Sequence, residues 1–180
     1  MRLFHTGYQE IKTPDIRHGR KNADFGQGFY MTADQAFAER WGKEMKDEQV
    51  YVNLYELDEE GLSVKVFSRD MEWFRYIAGN RSGRPDAYPE YDVIVGPIAN
   101  DTIYDVMGII TSGFLPPETS LKLLRIGPEY RQIVLKTEKA AEALKLISSK
   151  ILPPEMIRES QRLLREEERA YQAAVAEAME

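Results

Sequence analysis

Tyr91-Asp92-Val93-Ile94-Val95-Gly96 is a β-branched run closed off by Pro89 and Pro97. Its apolar core residues are consecutive rather than alternating, so it reads as a buried strand with a defined start and stop. After it, Asn100 or Asp101 can cap a helix reaching residue 110. A second helical stretch is expected over 116–124, opened by prolines at its first turn. Residues 130–136 read as another strand, and Thr137 as the N-cap of a helix over 138–148. Pro153-Pro154 then breaks the chain, and 155–179 holds neither glycine nor proline and is rich in good helix formers.

In the other direction, Glu59-Glu60-Gly61 makes a turn between strands at 50–57 and 62–67. A helix is expected over 71–78, stopping at Gly79. Residues 26–32 form a glycine-flanked aromatic strand followed by a helix over 33–45, and residues 2–5 a short opening strand. Loop connects 8–20. About six strands are thus interleaved with helices without regular βαβ alternation, which favours an α+β fold over a doubly wound one. The expected organisation is one domain over residues 1–150 and a helical appendage over 151–180.

Composition narrows the function. The 180 residues carry 43% hydrophobic side chains and a net charge of −6, so a core can form and a nucleic-acid contact would need a local basic patch. Cysteine is absent and the only histidines are His5 and His18, which excludes thiolate and multi-histidine metal sites. No apolar run approaches the roughly 20 residues of a membrane span, and a soluble, cytoplasmic protein is expected.

Four separated segments carry the functional signal. They are Leu3-Phe4-His5-Thr6-Gly7, then Asp24-Phe25-Gly26-Gln27-Gly28-Phe29-Tyr30, then Trp41 eleven positions after Tyr30, and Tyr130-Arg131-Gln132-Ile133-Val134-Leu135. The G-x-G of the second segment lacks the third glycine of a dinucleotide fingerprint and the strand that should precede it. As an ordered set the segments resemble the ADP-ribosyltransferase superfamily, in the His-Tyr-Glu branch that includes the poly(ADP-ribose) polymerases and diphtheria toxin. They resemble more closely a mostly uncharacterised, toxin-like bacterial family within it, of which residues 24–30 and 91–101 look typical.

The resemblance spans about residues 3–147 and implies a split, twisted β-sheet core with NAD in a cleft as co-substrate and no metal. It implies that His5 binds a ribose hydroxyl and that Gly7, with Thr6 and Gly28, lies against the nicotinamide end. Nicotinamide would sit between Tyr30 and Trp41, gaining stacking and cation–π attraction. Gln132 takes the position where most such enzymes have a glutamate. Glutamine accepts a hydrogen bond but brings no charge, so a nearby carboxylate is needed: Glu129 as nearest in sequence, or Asp24 or Asp101. Arg17, Arg20, Lys21 and Asn22 are candidates for phosphate contacts, and Arg81 with Asn80 can face the cleft.

The implied reaction is transfer of ADP-ribose to an unknown acceptor with release of nicotinamide. A bacterial toxin with a small antitoxin partner is a further implication. Two other readings stay open: a non-catalytic NAD or ADP-ribose binding module, and an interaction protein that works through its terminal helix. That helix carries Arg158, Arg162, Arg165 and Arg169 on one stripe and Ile157, Leu164 and Tyr171 on another, suited to self-association, a partner or packing.

Overall fold

The structure is a computed structural model that describes residues 1–99, 116, 119, 122, 123 and 126–179. The expected helices over 101–110 and 116–124, the cap at Asn100 or Asp101, and Asp101 as a candidate carboxylate lie outside the described residues or are only partly covered by them. Among these residues are seven strands: β1 (Arg2–Gly7), β2 (Phe29–Met31), β3 (Val50–Leu57), β4 (Val64–Val66), β5 (Val93–Pro97), β6 (Arg131–Leu135) and β7 (Leu144–Leu152). The helices described along their length are α1 (Gln35–Arg40), α2 (Met71–Arg81), α3 (Glu138–Glu142) and α4 (Pro154–Met179). The chain is mixed α+β, as its sequence suggests.

The strands form two sheets, one ordered β1-β3-β7 and the other β2-β6-β5-β4. Every pairing is antiparallel except β4 with β5. Leu3, Tyr55 and Leu57 of the first sheet meet Phe29, Met31, Val93, Ile133 and Leu135 of the second in the core between them. The outer face of the second sheet carries Ile94 and Val134, which pack with Phe25 and with Trp73, Tyr76 and Ile77 of α2. The β5 run is therefore buried on both faces, which is why its apolar residues are consecutive.

Local chemistry sets the helix starts. Asp34 accepts a hydrogen bond from Phe37 N at the start of α1, and Asp70 accepts from Glu72 N and Trp73 N at the start of α2. Three expectations are corrected. The helix expected over 33–45 is limited to Gln35–Arg40, with Trp41 as its C-cap. The helix expected over 71–78 runs on through Gly79 to Arg81.

The third correction is larger: the helix expected over 138–148 ends at Glu142, and Leu144–Leu152 pairs with the whole of β3. The eight-residue β3 would otherwise expose a full row of backbone donors and acceptors opposite β1. That tertiary demand outweighs the helical reading for residues 144–148, while Lys139-Ala140-Ala141-Glu142 stays within α3. The expected division after residue 150 falls inside β7.

Helix α4 starts with Pro154 at its first position and straddles both sheets. Ile157 packs with Val50, Val52 and Leu152, while Tyr171 and Val175 join the outer core around α2. Of its arginine stripe, Arg158 pairs with Glu44, and Arg162 pairs with Glu159 and Glu166. These glutamates neutralise the ridge locally. No helix among the described residues is long and apolar enough to cross a membrane.

Candidate functional site

The two sheets meet at one seam. Phe4 and Thr32 exchange backbone hydrogen bonds of 2.7 and 3.0 Å, and beyond this bridge β1 and β2 part. His5 sits at the parting. Its ring stacks on Phe29 with centroids 4.4 Å apart, and its Nδ1 lies 2.7 Å from the Tyr30 carbonyl oxygen.

A carbonyl only accepts, so Nδ1 must carry the hydrogen. Burial lowers the His5 pKa below its ordinary value, against the smaller raising effect of the Tyr30 hydrogen bond. The ring is then neutral at pH 7 and its Nε2 holds a bare lone pair. A Cβ added at Gly7 would come 3.3 Å from that Nε2, so glycine leaves space beside the acceptor.

Tyr30 turns to the opposite face of β2 from Phe29, toward the Phe25 core. Its hydroxyl donates to Gly26 O at 2.6 Å and accepts from Phe25 N at 3.0 Å. Burial pushes its pKa upward, beyond the reach of ordinary titration. Gly28, just before the strand, packs against β6: a Cβ there would lie 2.5 Å from Leu135 O and 2.6 Å from Val134 Cγ1. This glycine serves strand approach, the structural use of a small residue in a sheet.

Earlier in the same loop lies Asp24, buried and engaged at both carboxylate oxygens. Its Oδ1 accepts from Arg81 Nε at 2.7 Å, and its Oδ2 accepts from Ala99 N at 3.0 Å and from Gln132 Nε2 at 3.2 Å. Asn80 Nδ2 donates to the Asp24 carbonyl at 3.0 Å. Arg81 also donates to Ala99 O at 2.9 Å. The Asp24 bond fixes the orientation of the Gln132 amide, because a carboxylate can face only the NH2 side. Gln132 Oε1 is thereby directed elsewhere as an acceptor.

Contacts thus join His5 to Tyr30 and Tyr30 to Phe25 and Gly26, and the chain from Phe25 to Asp24 leads on to Gln132 and Arg81. Other sequence candidates stand apart from it. Thr6 Oγ1 donates to Ala38 O of α1 at 2.5 Å. Trp41 has its ring edge against Phe37, centroids 5.3 Å apart, and no Tyr30–Trp41 ring contact occurs among the described residues. Glu129 is paired with Arg131 at 3.2 Å, so the carboxylate touching Gln132 is Asp24 rather than Glu129. Arg20 and Asn22 are exposed, and Arg17 pairs with Glu138 at the surface.

The sequence reading missed Lys136. Its Nζ bonds the Phe25 carbonyl and lies 3.1 Å from Asp86 Oδ2, pinning the glycine loop from below. A lone lysine after a strand gives no signal of such a role. Among the described residues no cluster of three or more His, Cys, Asp or Glu side chains could hold a metal ion.

The fold and this seam define a two-sheet α+β domain with a polar path crossing from one sheet to the other. Residues 1–146 match the family model described as protein of unknown function (DUF3990), and the chain belongs to that family. The match stops just inside β7, so α4 lies beyond it. A comparison with curated proteins gave no match.

Proposed function

We propose that the protein is an NAD-dependent ADP-ribosyltransferase with its site at the sheet seam. The observation that carries this reading is that His5 bonds Tyr30 and that the loop segment 24–26 is bonded by both Tyr30 and Gln132, the three positions of the His-Tyr-Glu resemblance. Neutral His5, with Nε2 bare beside side-chain-free Gly7, suits acceptance of a hydrogen bond from a ribose hydroxyl. The Gln132 Oε1, held by Asp24 behind it, suits a second such bond.

The chemistry is a displacement at the ribose anomeric carbon. The bond between that carbon and the nicotinamide nitrogen breaks, and nicotinamide leaves with the electron pair. The electron-poor ribosyl centre is captured by a nucleophile on the acceptor, which loses its proton as the new bond forms. Fixed dipoles aimed at the ribose lower the barrier, and a missing formal charge at position 132 lowers the rate relative to a glutamate enzyme. A bacterial cytoplasmic toxin restrained by a small antitoxin is the biological setting we propose.

A second reading has its own observation. Asp24 is paired with Arg81, so the site has no uncompensated carboxylate next to Gln132. That arrangement favours a module that binds NAD or ADP-ribose without turnover.

The experiment is nicotinamide release from NAD by wild type beside His5→Gln, Tyr30→Phe and Gln132→Ala, with binding followed in parallel. Release that falls at least tenfold in His5→Gln and Gln132→Ala supports the enzyme. Binding without release, weakened by His5→Gln, supports the module. Neither release nor binding at millimolar NAD refutes both.

A further inference from the structure

A cavity of about 300 Å³ opens where the glycine loop, the segment after α2 and the end of β6 converge. Its lining includes Lys21, Gln27, Arg84, Asp86, Lys136 and Thr137, and none of His5, Tyr30, Trp41 or Gln132. Three cations thus face one carboxylate, in a chain whose net charge is −6.

The carboxylate is already used. Asp86 Oδ1 accepts from Tyr76 Oη at 2.9 Å and from Tyr88 N at 2.9 Å, while Oδ2 faces Lys136 at 3.1 Å. Burial works against its ionisation, but the Tyr88 N–H and Lys136 hold its pKa below the ordinary carboxylate value. Lys136 and Asp86 therefore cancel locally, and Lys136 keeps one N–H beyond its bonds to Asp86 and Phe25 O. Lys21 and Arg84 are exposed and form no ion pair among the described residues.

The floor of the cavity is built for close approach. Gly26 holds φ at +72°, and a Cβ there would come 3.0 Å from Lys136 Nζ and 3.4 Å from Asn80 Oδ1. The loop backbone is thereby brought down onto Lys136, with Gln27 Nε2 locking the approach through Arg17 O and Gly19 O at 2.6 and 3.0 Å. What the lining keeps for a ligand is the exposed Arg84 guanidinium, the exposed Lys21 ammonium and one N–H of Lys136.

We infer that this cavity binds the phosphate group of a small ligand, held between Lys21 and Arg84 over Lys136. Two cations without ion pairs among the described residues, Lys21 and Arg84, together with the remaining Lys136 N–H, suit the oxygens of a phosphate, and the Arg84 fork can take two of them. The cavity adjoins the seam through Gly26 and Asn80, but its cations are not residues of the seam reading, and phosphate binding is tested without NAD turnover. Two sources share the chemistry: a free phosphoanion, and the diphosphate of a nucleotide.

The test is calorimetric titration of the full chain with pyrophosphate and, separately, with ADP, at low and physiological salt. Saturable binding is expected, weakened at least tenfold in Lys21→Ala/Arg84→Ala. The control is Lys145→Ala/Lys150→Ala on β7, which removes the same charge elsewhere and leaves binding intact. Tighter ADP than pyrophosphate assigns the site to a nucleotide, and equal affinity assigns it to the phosphate alone. Absence of saturable binding to wild type, or equal weakening by the control pair, overturns the inference. Both mutated pairs are exposed, and thermal unfolding of each variant verifies that the fold is kept.

Discussion

Replacing Gln132 with glutamate should destabilise the protein near neutral pH and do little harm in acid. In the native chain the amide Nε2 donates to Asp24 Oδ2 at 3.2 Å, and both side chains are buried. Gln132→Glu turns that donor into a second carboxylate oxygen. Two charges at this distance repel by about 5 kcal/mol with an effective dielectric constant near 20. Protonating the new carboxyl at pH 7, from an ordinary pKa of about 4.3, costs roughly 3.7 kcal/mol. The smaller cost wins, so the group stays protonated and the penalty is capped near that figure.

The introduced group has a folded pKa raised above its unfolded value. Its penalty is therefore near zero below about pH 4 and grows by roughly 1.4 kcal/mol per pH unit above it. For a chain of this size, 3–4 kcal/mol corresponds to a midpoint lower by about 7–15 °C. Thermal unfolding by circular dichroism at pH 4.5, 5.5 and 7, with wild type alongside, reads the difference directly. Adding Asp24→Asn exchanges donor and acceptor and should recover part of the loss, a coupling that a double-mutant cycle measures. The competing effect is Arg81, which holds the other Asp24 oxygen and attracts any new carboxylate. A loss that does not change with pH, or no loss at pH 7, would show that Arg81 prevails and refute the reasoning.

Four further outcomes follow from the structure. Asp92 accepts from Ser63 N and Oγ, Thr137 Oγ1 and Lys139 Nζ, and these bonds, led by the Ser63 backbone, lower its pKa to about 2. Asp92→Asn should therefore cost stability above about pH 4, with the difference vanishing as pH falls toward 2, checked by urea unfolding across that range. Nitrogen-15 shifts of His5 should show hydrogen on Nδ1 and a bare Nε2 at pH 7; the opposite tautomer would remove the acceptor from the proposed site. Trp73 is fully buried and its Nε1 donates to Pro97 O at 2.9 Å, so Trp73→Ala should cost about 3–5 kcal/mol by chemical denaturation. Deleting residues 155–180 strips Ile157, Tyr171 and Val175 from two cores, and at about 1.5–3 kcal/mol per side chain should lower stability by roughly 5 kcal/mol or more. A truncated chain that unfolds like wild type would mean that α4 is the detachable appendage its sequence suggests.

The sequence by itself determined the elements whose signals are local. The β-branched run at 93–95 is a strand because nothing but burial suits it. Residues 50–57 alternate and form β3, and Pro153-Pro154 ends β7 ahead of α4. The sequence also offered His5, Tyr30 and Gln132 as candidates, through their order along the chain.

What the sequence left open depended on distant partners. Residues 144–152 became a strand because β3 needed a second neighbour, which no window around residue 148 reveals. Asp24 rather than Glu129 reached Gln132 because antiparallel pairing carries β6 back beside the glycine loop, while Glu129 lies before the strand and turns to Arg131. Lys21, Arg84 and Lys136 came to share one cavity only when three loops converged. Local propensity and burial are written residue by residue, whereas a hydrogen bond or an ion pair spanning a hundred residues exists only once the sheets have closed.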